Sequence, residues 1–422
     1  MSADRRVLAF LNSPTAASWI GKQPHAPRGR PKLIFLVTED WYFWSHRLPI
    51  ARAARDAGFE VVVAARERVH GDRIRDEGFR FEALRWRRRG DRAVGAGRAI
   101  AAIAALYRRE RPDIVHHVAL KPVLFGGAAL RLAFPGRSGR PCCIAAVNGL
   151  GSGFATAGGR ALLARTALAR GLRYAAGNAR VIVQNPEDGD ALAMLGIDPA
   201  RLVLIRGSGV DTAYFAPLPE PEIGEPIVRA ALVGRMLRSK GVLDAVAAVR
   251  LLREEGLAVE LVLAGPTDPD NPDSLDDRAL TALAAGKGVV WLGRIDDVRE
   301  VWEEAAIAVL PSTYGEGLPK SLLEAASCGR AIVASDMPGC REIVRPDGPD
   351  TKPGEATGLL VPPGDVAALA RAIRALAGDP ERRRAMGRAG RRLVECDFAE
   401  ERIAAQTLAL YETALRERDA GR

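Results

Sequence analysis

The side chains best suited to chemistry lie between Pro311 and Val344, in the run PSTYGEGLPKSLLEAASCGRAIVASDMPGCREIV. Two carboxylates stand in it eight positions apart, Glu316 in a glycine-bearing turn and Glu324 further on. At 100° per residue, Leu322, Leu323, Ala325 and Ala326 share one helical arc that must face a core. Glu324 falls on the opposite side, four residues after Lys320. One reading is a solvated Lys–Glu pair worth roughly 0.3 kcal/mol. The other is a helix whose first turn, over Gly317, Leu318, Pro319 and Lys320, points bare N–H groups at an anion. Glu316 and Glu324 would then grip hydroxyls on either side of that anion. The helix alone does not decide between them. A second concentration of charge is GRMLRSKG, where Arg235 and Lys240 precede a helix beginning near Val242. The run lacks the GxxxxGK[ST] spacing of a P-loop. Its two cations could cap strand carbonyls. Facing a glycine-rich turn and a helix start, they are better placed to neutralise a diphosphate.

Short apolar strands and helices must carry these groups. Ile307 to Leu310 reads as a strand, Gly315 and Gly317 as a turn, and Pro319 as the start of a helix running to Cys328. Proline suits a first helical turn, where its missing N–H costs nothing, and Gly329 suits the left-handed residue after the end. Ala331 to Ala334 follows as a strand, so the unit is strand–loop–helix–strand, the building block of a parallel sheet. Ala230–Val233, Glu260–Ala264, Val289–Leu292 and Gly358–Val361 extend the pattern in the second half. In the first half the strands are Lys32–Val37, Glu60–Ala64, Asp113–Val118, Ile144–Val147, Val181–Val183 and Leu202–Ile205. Thr38–Arg47 reads as a polar loop leading to a helix that ends at Ala57. Its aromatics Trp41, Tyr42, Phe43 and Trp44 either cap the core or wall a ligand site, because loops at strand ends carry function. RGSGVD and the proline-rich PLPEPEIGEP mark a boundary. The division expected is a mobile leader (1–30), a first α/β domain (31–206), a linker (207–228), a second α/β domain (229–395) and a C-terminal amphipathic helix (396–422) built on Phe398, Ile403, Leu408, Tyr411 and Leu415.

Composition narrows the partners. At 422 residues the chain suits two domains, and 48% apolar content makes it globular rather than disordered. Five cysteines without framework or metal-ligand spacing read as reduced core residues. The net charge of +9 hides an asymmetry: residues 1–210 hold 34 basic and 17 acidic side chains, net +17, and the remainder 27 against 35, net −8. A basic half suits an anionic partner such as a membrane surface. Two clusters, Arg85–Trp86–Arg87–Arg88–Arg89 and Arg108–Arg109–Arg111, fit that reading, as basic residues beside a tryptophan suit anionic lipid. No nucleic-acid recognition motif accompanies them. No apolar run approaches the ~20 residues that cross a bilayer. The expected location is cytoplasmic, with peripheral contact to the inner membrane face.

Other constellations carry less chemistry. NGLGSGF, with Asn148, Gly149, Gly151 and Gly153, is not GxGxxG and lacks the acidic partner of a dinucleotide site. Its glycines permit a sharp turn or close backbone approach to a ligand. Asp268 and Asp270 form a DxD in a stretch of ordinary turn formers. Asp188 and Asp190 form another, read as helix-start acids. No metal site is expected from either. His116 and His117 end a strand just before Lys121, and a strand histidine is more often structural than catalytic.

GEGLPKSLLEA resembles the Glu-x7-Glu signature of the retaining glycosyltransferases of family four, and the flanking PST and DMPGCREIV resemble that family too. The resemblance spans nearly the whole chain after residue 31 and is sharpest from Gly293 to Val344. It implies an α/β GT-B fold: two facing Rossmann-like domains, an inter-domain cleft and a last helix crossing back to the first domain. It implies that Glu316 meets a donor sugar and Glu324 the nucleotide ribose. Arg235, Lys240 and the helix start at Leu318–Lys320 would stabilise the departing diphosphate. Arg294 and Ile295 would border the base, and Asn148, Gly149 and Gly151 the acceptor. Where many members read His-x-His, the second position here is Val118, so His116 and Lys121 enter only as cleft candidates. The activity implied is retaining, metal-independent transfer of a sugar, with UDP-N-acetylhexosamine as the expected donor, to a hydroxyl of a lipid-linked or polysaccharide acceptor. No cofactor is expected. A non-catalytic nucleotide-sugar sensor and a nucleotide-sugar epimerase are the alternatives on the same fold.

Overall fold

The computed structural model describes residues 29–86, 93–136, 139–149, 159–221, 227–349 and 351–420. Among the described residues the strands form two sheets, each wholly parallel. The first is built from β1 (Lys32–Glu39), β2 (Glu60–Arg66), β3 (Arg80–Ala83), β4 (Ile114–Val118), β5 (Cys142–Ala146), β6 (Arg180–Val183) and β7 (Leu202–Leu204), in the order β3-β2-β1-β4-β5-β6-β7. The second contains β8 (Val228–Val233), β9 (Val259–Ala264), β10 (Val289–Gly293), β11 (Ile307–Leu310), β12 (Ala331–Ser335) and β13 (Gly358–Val361), ordered β10-β9-β8-β11-β12-β13. Both orders reverse direction beside the first strand of the sheet, and the crevice outside the strands' carboxyl ends at such a point is where open α/β sheets bind ligands. Each centre is apolar on both faces because helices cover both: Leu33 to Val37 and Ile307 to Leu310 are buried throughout.

The chain crosses between domains twice, and the two crossings touch. Val210 N–H donates to Phe398 O (2.9 Å), and Glu400 N–H donates to Val210 O (3.1 Å). Gly209 makes the approach possible: it sits at φ +71°, and a Cβ there would lie 2.6 Å from Glu400 Cα. The last helix, Glu400–Ala420, then returns to the first domain. Its Ile403, Ala404, Tyr411 and Ala414 join the core formed by Phe35, Phe43 and Ile50, whereas Phe398 stays in the second domain's core with Trp302 and Leu323. Burying a side chain such as Ile403 is worth about 1.5–3 kcal/mol, enough to fix the helix there.

The expected loop Thr38–Arg47 is a correction. β1 runs on to Glu39, and Asp40–His46 is a helix. Asp40 is fully buried, and its carboxylate accepts N–H bonds from Trp41 (2.7 Å), Arg68 (2.7 Å) and His70 (2.8 Å). These bonds tie the start of the helix to the loop after β2. Four consecutive aromatics on a helix cannot all face one way. Phe43 enters the core, Trp44 lies near His70 and Arg73, Trp41 faces Arg235 of the second domain, and Tyr42 accepts from Asn148. Trp86 is corrected as well: it is buried, donating to Thr38 O (3.0 Å), so it belongs to the core rather than to a membrane-facing cluster. Arg87, Arg88 and Arg89 lie outside the described residues, as does the leader up to residue 28.

Candidate active site

Two loops of the second sheet lie side by side at the carboxyl ends of β8 and β11. Thr313 N–H donates to Ser239 O (2.9 Å), which brings the turn carrying Lys240 against the turn carrying Glu316. Lys240 Nζ then lies 2.6 Å from Glu316 Oε1, and Ser312 Oγ donates to the same oxygen at 2.8 Å. Arg235, also past the end of β8, pairs with Asp268 at 2.6 Å. Its guanidinium carbon stands 5.9 Å from the Trp41 ring centroid, across from the first domain. The helix after Glu316 is Lys320–Ser327, with Pro319 at its N-cap rather than inside it. Pro319 has an extended ψ of 112°, and Lys320 is the first helical residue.

The first domain presses its own loops onto this corner. Asn148 is held from three sides: Nδ2 donates to Tyr42 Oη (2.7 Å), and Oδ1 accepts from Arg47 (3.1 Å) and Gln184 (3.1 Å). The next residue, Gly149 at φ +95°, would place a Cβ 3.4 Å from Gly317 N, so the two glycine turns meet backbone to backbone. Asn185 Nδ2 donates to Gly317 O (3.1 Å), and Lys320 Nζ donates to Ser45 O (2.5 Å). Further out, Arg68 pairs with Asp270, Arg341 with Glu187 (2.7 Å) and Arg206 with Glu342 (2.6 Å). The domains therefore stand close along the whole crevice.

The local field is positive. His46, stacked on Tyr42 at 4.2 Å, is driven well below the usual imidazole range by burial and then by Lys320, Arg47, Lys240 and Arg235. Cations from both domains thus converge on one ring, a place suited to a ligand of negative charge. Glu324 behaves differently from Glu316. It is partly exposed as a residue, yet desolvation of its carboxyl raises its pKa from 4.5 to about 7 against the opposing pull of Lys320. A carboxyl with a higher pKa folded than unfolded holds extra protons in the native state. This carboxyl's contribution to stability is then greatest below pH 4.5 and declines as pH rises towards about 7. Glu400 is shifted to about 7 mainly by the same cause and acts in the same window. Glu324→Gln should therefore lessen the fall in Tm between pH 5 and pH 8, which scanning fluorimetry in matched buffers measures; an unchanged slope would refute this.

Not every expected residue arrives here. His116 is a correction: it lies inside the first domain's core, where Nδ1 meets Tyr411 Oη at 2.6 Å and its ring packs on Phe35. The cause is alternation along β4, which turns residue 116 towards the last helix. His117, on the other face, pairs with Tyr107 Oη (2.9 Å). Lys121 sits over the rings of Trp86 (5.3 Å) and Phe125 (5.0 Å). Arg294 is largely exposed on the second domain's rim, where it adds slightly to the lowering of the His70 pKa that burial mainly causes, and Ile295 packs into that domain's core. Gly151 lies outside the described residues. Asp268 and Asp270 are drawn apart to different arginines, Arg235 and Arg68. Arg47, Gln184 and Asn185 are site residues that the sequence did not single out. Nothing in local spacing links them to the signature, because each reaches it from a distant loop.

Comparison with known proteins agrees with this architecture. Residues 228–379 match the family described as Glycosyl transferases group 1, and residues 32–178 the one described as Glycosyl transferase 4-like. The chain belongs to the family-four glycosyltransferases, with two Rossmann-like domains in the GT-B arrangement. It is 36% identical over 238 residues to an alpha-maltose-1-phosphate synthase of Mycolicibacterium smegmatis, covering 51% of this chain and 57% of that protein. It is 28% identical over 326 residues to the N,N'-diacetylbacillosaminyl-diphospho-undecaprenol alpha-1,3-N-acetylgalactosaminyltransferase of Campylobacter jejuni, covering 74% and 82%. The match to the first of these thus spans little more than half its length. Among solved structures, the sucrose-phosphate synthase of Thermosynechococcus elongatus superposes with a TM-score of 0.73 at 24% identity, covering 92% of this chain and all of that one. Anabaena HepE in complex with UDP and glucose gives 0.73 at 17%, covering 91% and 100%. At these identities the structural likeness is one of fold.

Proposed function

We propose that the chain is a retaining glycosyltransferase that moves a sugar from a nucleoside diphosphate sugar to an acceptor hydroxyl. The observation that carries this reading is the meeting of Arg235, Lys240, Glu316 and the start of helix Lys320–Ser327 in one crevice. The bond from the sugar's anomeric carbon to the diphosphate oxygen breaks, and its electron pair goes to the diphosphate. Arg235, Lys240 and the backbone N–H groups of Leu318 and Lys320 stabilise that growing charge, a contribution strongest where water is excluded. Glu316 positions the sugar and Glu324 the ribose. The acceptor oxygen bonds to the anomeric carbon on the departing face and passes its proton to the leaving phosphate. Asn148 and Gly149 border the acceptor.

The preferred donor is UDP-N-acetylhexosamine and the preferred acceptor a lipid-linked or polysaccharide glycan. The Campylobacter relative's name specifies N-acetylgalactosaminyl transfer to a diphospho-undecaprenol, and the Anabaena structure contains UDP. Peripheral membrane contact fits the first domain's positive charge; among the described residues no helix is long and apolar enough to cross a bilayer. Incubating the full chain with radiolabelled donor and a polyprenyl-diphosphate-linked acceptor tests the reading, with the anomeric configuration of the product read by NMR. Binding without transfer or hydrolysis would make the protein a sensor, and altered nucleotide sugar without acceptor an epimerase. EDTA should leave turnover within about twofold, because Arg235 and Lys240 supply the positive charge that a divalent ion would otherwise bring. Loss of activity restored by magnesium or manganese would return Asp268 and Asp270 as ligands.

A further inference from the structure

A second basic site lies away from the crevice. Helix Lys320–Ser327 is about 12 Å long and points its first turn into the cleft. At its other end, a depression of about 440 Å³ is bounded by the inter-domain linker, the turn at Gly329 and Arg330, and the helix Pro380–Asp397. Arg384, Arg388, Arg391 and Arg392 fall at i, i+4, i+7 and i+8 of that helix, so they share one face. Like charges at that spacing repel unless an anion lies against them.

Two more arginines form the wall and are almost wholly enclosed: Arg330 is 2% exposed and Arg383 5%. Arg330 spends its hydrogen bonds on carbonyls, those of Trp302 (2.8 Å) and Pro219 (2.8 Å), and burial lowers its pKa. Among the described residues lining the depression, Glu220 is the one carboxylate against six arginines. Its Oε1 accepts from Arg383 Nε (2.7 Å) and its Oε2 from Arg384 Nη1 (3.1 Å). Pro217, Leu218, Pro219 and Ala306 give the remaining lining an apolar character. Bare phosphate would leave that surface unused, whereas the volume suits a small organic ligand.

We propose that this depression binds a small phosphorylated solute with a carbon body, its phosphate oxygens taken by Arg384, Arg388 and Arg392. The ligand competes with Glu220 for Arg383 and Arg384. Because Glu220 stands on the linker and Arg330 follows the helix that enters the cleft, occupancy of this site bears on how the two domains meet. The assignment does not depend on the transfer reaction proposed above.

Inorganic pyrophosphate serves as the probe, measured by titration calorimetry on the full chain at low salt. In an Arg235→Ala/Lys240→Ala background, which weakens the cleft site, one pyrophosphate per chain should still bind. Adding Arg384→Ala and Arg388→Ala, both at exposed positions, should weaken that binding at least tenfold. Glu220→Gln should tighten it several-fold by removing the competitor. Absence of binding in the first background, indifference to the arginine substitutions, or weaker binding with Glu220→Gln would each overturn the proposal. Flotation on phosphatidylglycerol vesicles separates the sources of phosphate: it should be unchanged by Arg384→Ala/Arg388→Ala, and a matching loss would assign the site to lipid headgroups instead.

Discussion

Lys240→Ala is expected to lower kcat by at least ~100-fold, the scale on which a donor aimed at transition-state charge is missed. Lys240 is held by a single short contact to Glu316, at 2.6 Å, in a pair whose side chains are 21% and 16% exposed. Removing one partner of a pair this enclosed also costs some folding stability, so rates are compared at a temperature well below the variant's own transition. The loss measured there lies in chemistry. It should appear in kcat more than in KM, because an interaction that strengthens only as diphosphate departs adds little to ground-state binding. Arg235→Ala should act in the same direction, with the added effect of leaving Asp268 without its 2.6 Å partner beside the developing charge. Lys240→Arg should recover little: a planar fork cannot take the place of a compact ammonium in contact with both Glu316 and a phosphate oxygen. Steady-state rates with saturating donor decide the matter, and a Lys240→Ala enzyme of near-normal kcat would remove the diphosphate assignment.

How much of this was visible in the chain beforehand differs by kind of residue. The inner strands of both sheets were readable because fully buried parallel strands are continuous apolar runs, as Leu33–Val37 and Ile307–Leu310 show, whereas the edge strand Arg80–Ala83 was not, its residues being charged, exposed or half-buried. The signature loop was readable because its residues are neighbours in sequence as well as in space. The helix Asp40–His46 was not, since its apolar residues follow one another instead of recurring at helical spacing. What holds it is Asp40, bonded to amides about 30 residues away. His116 departs from its expected place for a related reason. Its residue type pointed to a structural role and only the resemblance made it a cleft candidate; its face of β4 is decided by Tyr411, 295 positions later. Asp268 shows the same limit from the other side. A DxD invites a metal until the fold gives its first carboxylate to Arg235, 33 positions earlier. Properties set by local pattern could be read directly; pairings between loops could not.

Gly241→Ala should damage stability and catalysis together, because one glycine joins the two active-site loops. Gly241 sits at φ +75° and caps the helix Val242–Glu254. A Cβ on it would stand 2.0 Å from Pro311 O and 2.6 Å from Pro311 C, backbone atoms that no side-chain rotation can clear. An L-residue forced into the left-handed region loses roughly 1–2 kcal/mol, and relieving a core overlap costs a further ~1–3 kcal/mol. For a domain of this size each kcal/mol lowers Tm by roughly 2–4 °C. The only available relief is to part the loops, which would lengthen both the Ser239–Thr313 bond and the Lys240–Glu316 contact next to it. Turnover at 20 °C, well below the transition, should therefore fall by about tenfold or more. Gly241→Asn separates the two causes, since asparagine tolerates the left-handed region but carries the same Cβ. If the overlap with Pro311 dominates, asparagine will be as harmful as alanine; if backbone strain dominates, it will restore most of the Tm. Native Tm and kcat in Gly241→Ala would mean that the loops do not touch, and the crevice built on their contact would fail with them.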